Sequence, residues 1–146
     1  MNNSEKLQVL ESILERAANE LGDITPVVLA DFYSLHPGSR ELFGHHGGQN
    51  MSRMESEMVE SALYCLMTWF DRPAEIEVMF THTIPHHEML DIPVEQFAGL
   101  LESTLRVLGK TLPDGDNRDT RIWGELESSL LELARNSSLA TLGMSV

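Results

Sequence analysis

The stretch "FTHTIPHHEMLDIPVEQF", residues 80–97, decides how this chain is read. It carries His82, His86 and His87, with Pro85 directly before the histidine pair and Pro93 ahead of "VEQF". Metal ligands, a catalytic base and a solvated turn are all open for these imidazoles. A zinc site needs three or four ligands, and His82 and His86 share a helix face only if Pro85 leaves that face intact. Neither an HExxH pattern nor a cysteine pair accompanies them. A Ser–His–Asp arrangement also stays open, although the chain has no G-x-S-x-G nucleophile elbow.

Outward from this stretch the dominant period is helical. Leu7, Leu10, Ile13, Leu14, Ala17 and Leu21 recur at spacings of three and four, one stripe of an amphipathic helix. Thr25 and Pro26 read as an N-cap with proline in the first turn of a helix near 26–36 that carries Val28, Leu29, Phe32 and Tyr33. "LHPGSRELF" reads as a turn and a short helix ending on Phe43, and "GHHGGQN", 44–50, as a loop by its glycines. Residues 51–70 place Met51, Met54, Met58, Ala62, Leu66 and Phe70 on one helix face, and "DRPAE" breaks it. A short helix near 74–88, irregular at Pro85, precedes a turn at 89–92. Pro93 opens a long helix with Phe97, Leu100, Leu101, Leu105 and Leu108. The last helix, 118–136, carries Ile122, Trp123, Leu126, Leu130 and Leu133, and the tail "NSSLATLGMSV" reads as frayed. No sustained alternation argues for a strand. The expected class is all-α, six to eight helices with short connections, in one domain spanning 1–146 with its core in about 4–136.

Composition bounds the partners. The chain has 146 residues, with Lys and Arg totalling 10 against 23 Asp and Glu, a net charge of −13. That length suits a single core. The charge disfavours nucleic acid, whose phosphates need a basic face, and an anionic membrane surface. No apolar run approaches the roughly 20 residues of a membrane helix. The amino terminus, "MNNSEKLQVL", has no signal-peptide pattern. Cys65 is the one cysteine, so no intrachain disulfide forms. A cytoplasmic setting is the expectation.

One axial nitrogen and an apolar slot are enough to hold haem. The order of elements fits that demand: "FYSLHPGSRELF", a Met-rich helix, a short His-bearing helix, "IPVEQF" opening a Leu-rich helix, and a final helix with "IWGEL". In that order and spacing the chain resembles the globin family, above all bacterial single-domain globins and the globin domain of flavohaemoglobins, over roughly residues 4–136. The resemblance implies a globin fold around a haem b pocket. Pro37 and Phe43 match the family's proline and its haem-packing phenylalanine. Bacterial members place the proximal histidine ten residues before an aromatic in an "xPEQ(Y/F)"-like turn. His87 stands ten before Phe97, with Glu95 and Gln96 completing the match. Animal globins use eleven, which gives His86 as the alternative ligand.

The resemblance also implies a distal side, and here the chain departs. Gapless counting from Phe43 puts Leu29 at the family's tyrosine position, and the apolar face of the helix over 51–70 puts Met54 at the distal position with Met58 one turn on. A shift by one would turn Glu60 into the core, which is costly for an unpaired carboxylate. The expected pocket is therefore Leu29, Phe43, Met54 and Met58, with Phe97 and Leu101 on the proximal side, and it lacks a hydrogen-bond donor. A methionine, His45 or His46 is a candidate sixth ligand. Arg53, His45 and His46 are candidates for the propionates. Phe97 and Ser138 stand where flavohaemoglobins carry the tyrosine and glutamate that hold the proximal histidine. The implied function is binding of oxygen, NO or CO, without catalysis. The alternatives are a haem-free globin-like signalling module and an NO dioxygenase fed by a separate reductase. Self-association as a homodimer is a further expectation of the family.

Overall fold

The structure is a computed structural model and describes residues 1–143. Among the described residues it has seven α-helices and no strand: α1 (Asn3–Leu21), α2 (Thr25–Leu35), α3 (Ser39–Gly47), α4 (Met51–Thr68), α5 (Pro73–Met89), α6 (Val94–Gly109) and α7 (Arg118–Asn136). A single 3₁₀ turn, Gly48–Asn50, joins α3 to α4. The all-α expectation holds, and no helix is long and apolar enough to cross a membrane among these residues.

Helix ends follow local chemistry. The Asn2 carboxamide accepts the Glu5 N–H at 2.8 Å to start α1, and Gly22 at φ 63° ends it. Asn117 and Thr120 bond each other's backbone N–H groups at the start of α7, a reciprocal capping box. The expected bounds of this last helix, 118–136, coincide with α7. Thr25 is instead the first helical residue of α2, behind Ile24, and its N–H is served by the Asp23 carboxylate at 3.0 Å.

The most deeply enclosed helix is α6, which packs against α1, α2, α4, α5 and α7. Ala98, Leu101, Leu105 and Val107 are all almost wholly buried. Two glycines set its crossings. The His36 ring lies over Gly99, its Nε2 inside the space that a Cβ would need, and stacks on Phe32 with centroids 4.9 Å apart. At the far end the Trp123 indole packs on Gly109 and donates Nε1–H to the Leu105 carbonyl at 3.2 Å.

The structure corrects two further expectations. Residues 44–50 are not a loop: α3 runs through Gly44, His45, His46 and Gly47, and the break falls at Gly48, φ 53°. The helix expected near 74–88 is α5, with Pro85 inside it. Burial of Ile76, Phe80 and Ile84 along one face holds this helix together despite the lost N–H donor. The segment after α7 is docked through Leu139, with Ser137, Ser138 and Leu139 buried. The Glu88 carboxylate holds it, accepting Ser138 Oγ–H and the Leu139 N–H at 2.8 Å each. Residues 144–146 of the expected frayed tail lie outside the described residues.

Candidate functional site

α4 and α5 are joined by four residues, 69–72, and both pack on α6. Between the three helices lies a cavity of about 420 Å³. It falls within the size range of pockets for small organic ligands and cofactors, roughly 300–1,000 Å³. α4 lines it with Met54, Glu57, Met58, Ser61, Ala62 and Cys65, positions that recur at three and four along one face. α5 contributes Met79, Thr83 and His87 at a spacing of four. α6 supplies Gln96, Phe97, Leu100 and Leu101, while Phe43 and Ile92 complete the lining. Glu57 and Ser61 are exposed and mark the mouth.

His87 is held at three points. Its Nδ1 lies 2.8 Å from the Thr83 carbonyl, which can only accept, so Nδ1 carries the proton. In the neutral ring this leaves the lone pair on Nε2, the tautomer suited to a metal. Its backbone carbonyl accepts the N–H groups of Leu90 and Ile92, both at 2.9 Å, which ties down the end of α5. The turn is made possible by Asp91 at φ 63°, a conformation that a short polar side chain tolerates. Phe97 stands edge-on to the imidazole, centroids 5.7 Å apart, and edge-on to Phe80 at 5.2 Å. That wedge restricts rotation of the ring.

The cavity gathers His87, Phe43, Met54, Met58, Phe97 and Leu101 from the expected set. Other candidates lie elsewhere. His86 and His82 are exposed on α5 and do not line it. Leu29 is half-buried against the core and does not line it either. Tyr33 is buried and donates its hydroxyl to Glu55 at 2.7 Å. Burial, with help from the Glu55 carboxylate, raises its pKa well above the usual phenol value. Arg53 lies just outside the mouth, exposed, its Nε donating to Glu57 at 3.0 Å. His46 Nε2 donates to the Leu90 carbonyl at 3.0 Å, pinning α3 to the turn after α5. His45 does not line the cavity.

Several lining residues escape the sequence reading. Thr83 and Met79 stand four and eight residues before His87, so the helical period alone could have found them. Cys65 is buried, its Sγ 3.8 Å from Met79 Sδ, and burial pushes its pKa up to about 12. Gln96 has a buried Oε1 with no hydrogen-bond partner, a polar atom that a bound group would satisfy. Among the described residues no three His, Cys, Asp or Glu side chains converge as ligands for a metal ion.

The lining is thus apolar on most sides, with one imidazole set in its wall and polar groups at the mouth. A scan against protein-family models, a search of curated proteins and a search of solved structures each return no match to the chain.

Proposed function

We propose that the cavity between α4, α5 and α6 holds haem b in a globin-like fold, with His87 as the side chain that would ligate its iron. The observation that carries this reading is the set of His87: Nδ1 bound to a backbone carbonyl, Nε2 carrying the lone pair, and the ring wedged by Phe97 in the wall of an apolar cavity. A free metal ion needs several protein ligands; a porphyrin brings four of its own and asks the protein for one or two. Bound haem would supply an iron site for a diatomic gas, oxygen, NO or CO.

The chain's own residues fit that group chemically. Phe43, Leu100, Leu101 and Phe97 offer apolar surface to a macrocycle, and the mouth lies where its charged edge would reach water. Arg53 is the cation beside that mouth, already shared with Glu57. A propionate there would compete with the Glu57 carboxylate for Arg53. The expected donor-free lining is not what surrounds the cavity: Gln96, Thr83 and Ser61 bring an amide and two hydroxyls to its wall, although no lysine, arginine, tyrosine or tryptophan lines it.

Titration of the apoprotein with haemin tests the reading. Wild type should take up one equivalent with a sharp Soret band. His86→Ala should do the same, since His86 is exposed. His87→Ala should lose the axial-ligand signature while keeping its helical circular dichroism. No saturable uptake by wild type, or loss only in His86→Ala, contradicts the assignment.

A further inference from the structure

We propose that the Met58 thioether is an internal ligand facing His87, so that the site is closed by the protein itself and a gas must displace Met58 to bind. The inference rests on the haem reading above and deepens it.

The register of the α4–α5 hairpin carries it. Near the connecting turn, Tyr64 of α4 bonds Glu75 of α5, and Cys65 Sγ lies 3.8 Å from Met79 Sδ. Later residues of α4 therefore pair with earlier residues of α5, as in an antiparallel hairpin. One turn back along α4 and one turn on along α5 reaches Ser61 and Thr83, both lining the cavity. A second step reaches Glu57 and Met58 opposite His87, again all lining it. Of these two, Glu57 is exposed and tied to Arg53, whereas Met58 is half-buried against the core.

The other candidate donors are engaged. Met54 packs on α3, with its Sδ 3.3 Å and its Cε 3.1 Å from where a Gly47 Cβ would stand. His46 is committed to the Leu90 carbonyl, and His45 does not line the cavity. Met79 lies two turns from His87 on the same helix, beside it rather than across from it. Met58 is left as the flexible, soft donor on the facing wall. A thioether suits iron opposite an imidazole and favours the reduced state. Its long side chain can also swing aside, because methionine has three rotatable bonds.

The test is spectroscopic and starts with wild type, so it does not depend on a variant folding. The haem-loaded ferric protein should be low-spin with a near-infrared sulfur-to-iron charge-transfer band. The ferrous protein should show sharp, split visible bands. Met58→Leu should lose the charge-transfer band, become high-spin, and bind CO with an apparent affinity raised roughly tenfold or more, since an internal competitor is removed. Met54→Leu should leave the low-spin spectrum intact. A high-spin, five-coordinate wild type overturns the inference while leaving the haem reading standing. A Met58→Leu protein that stays low-spin, or a Met54→Leu protein that turns high-spin, also overturns it. Failure of wild type to bind haem overturns both.

Discussion

At the scale of single residues, the site depends on how His87 is gripped rather than on how many histidines surround it. Thr83 selects its tautomer, Phe97 its ring plane, and the Leu90 and Ile92 N–H groups its backbone. His86, next in the chain, has its ring 6.4 Å away and nearly perpendicular, and it faces water. Cys65 shows the reverse case, a chemically capable group silenced by its surroundings. A thiol whose pKa is pushed up to about 12 is protonated at neutral pH and is a poor nucleophile. A thiol-specific disulfide reagent at pH 8 should react with the folded protein on the order of a hundredfold more slowly than with the unfolded chain. Fast reaction in the fold would show that the thiol is open. The folded state also keeps the thiol proton to higher pH than the unfolded state does. The stability this provides is complete below the unfolded value of 9.0 and declines as pH rises toward 12. Denaturant melts across that range should show a shallower alkaline loss in Cys65→Ala than in wild type.

At the scale of elements, α5 is the piece that couples the site to the rest of the chain. Its last turn carries His87 toward the cavity and Glu88 toward the carboxy-terminal turn. Glu88→Gln keeps an acceptor but removes the charge that strengthens two hydrogen bonds. It should cost about 1–2 kcal/mol in chemical denaturation and quicken proteolysis after Asn136. Unchanged stability and unchanged cleavage would show that the tail docks without it.

The same elements show what was legible in the sequence. α7 is bounded by an Asn–Thr capping box and carries a strict stripe, so its limits, Arg118–Asn136, could be read directly. The face of α4 was legible for the same reason, and with it Met54 and Met58. The segment 44–50 was not, because Gly44, Gly47, Gly48 and Asn50 all have low helix propensity. Tertiary packing overrides that preference, and Gly47 is held helical beside Met51 and Met54. Leu29 escaped for a geometric reason. Counting back from Phe43 crosses the His36–Gly38 turn, where gapless counting carries no information on which face of α2 meets the cavity, and Leu29 does not line it. The docking of the tail was illegible because Glu88 and Ser138 are 50 residues apart and no local pattern links them.

At the scale of the whole molecule, charge is the dominant stress. The chain carries −13, and eight of its ten lysines and arginines already bridge carboxylates among the described residues. Most of these pairs are exposed, where each contributes only about 0–1 kcal/mol. Repulsion among the remaining carboxylates opposes compaction, and salt screens it over a Debye length of about 10 Å at 0.1 M. Raising sodium chloride from low salt to about 0.2 M should therefore lift Tm by a few degrees. A fall in Tm would mean that the ion pairs outweigh the repulsion.

The proposed function turns on Nε2 of His87 reaching an iron held in the α4–α5–α6 cavity. That contact is tested most directly by replacing the side chain and supplying its ring from solution. His87→Gly, loaded with haem, should show a weakened, shifted Soret band, and added imidazole should restore the wild-type spectrum saturably by filling the space the side chain left. A His87→Gly protein whose spectrum equals that of wild type, or one that imidazole leaves unchanged, would contradict the assignment.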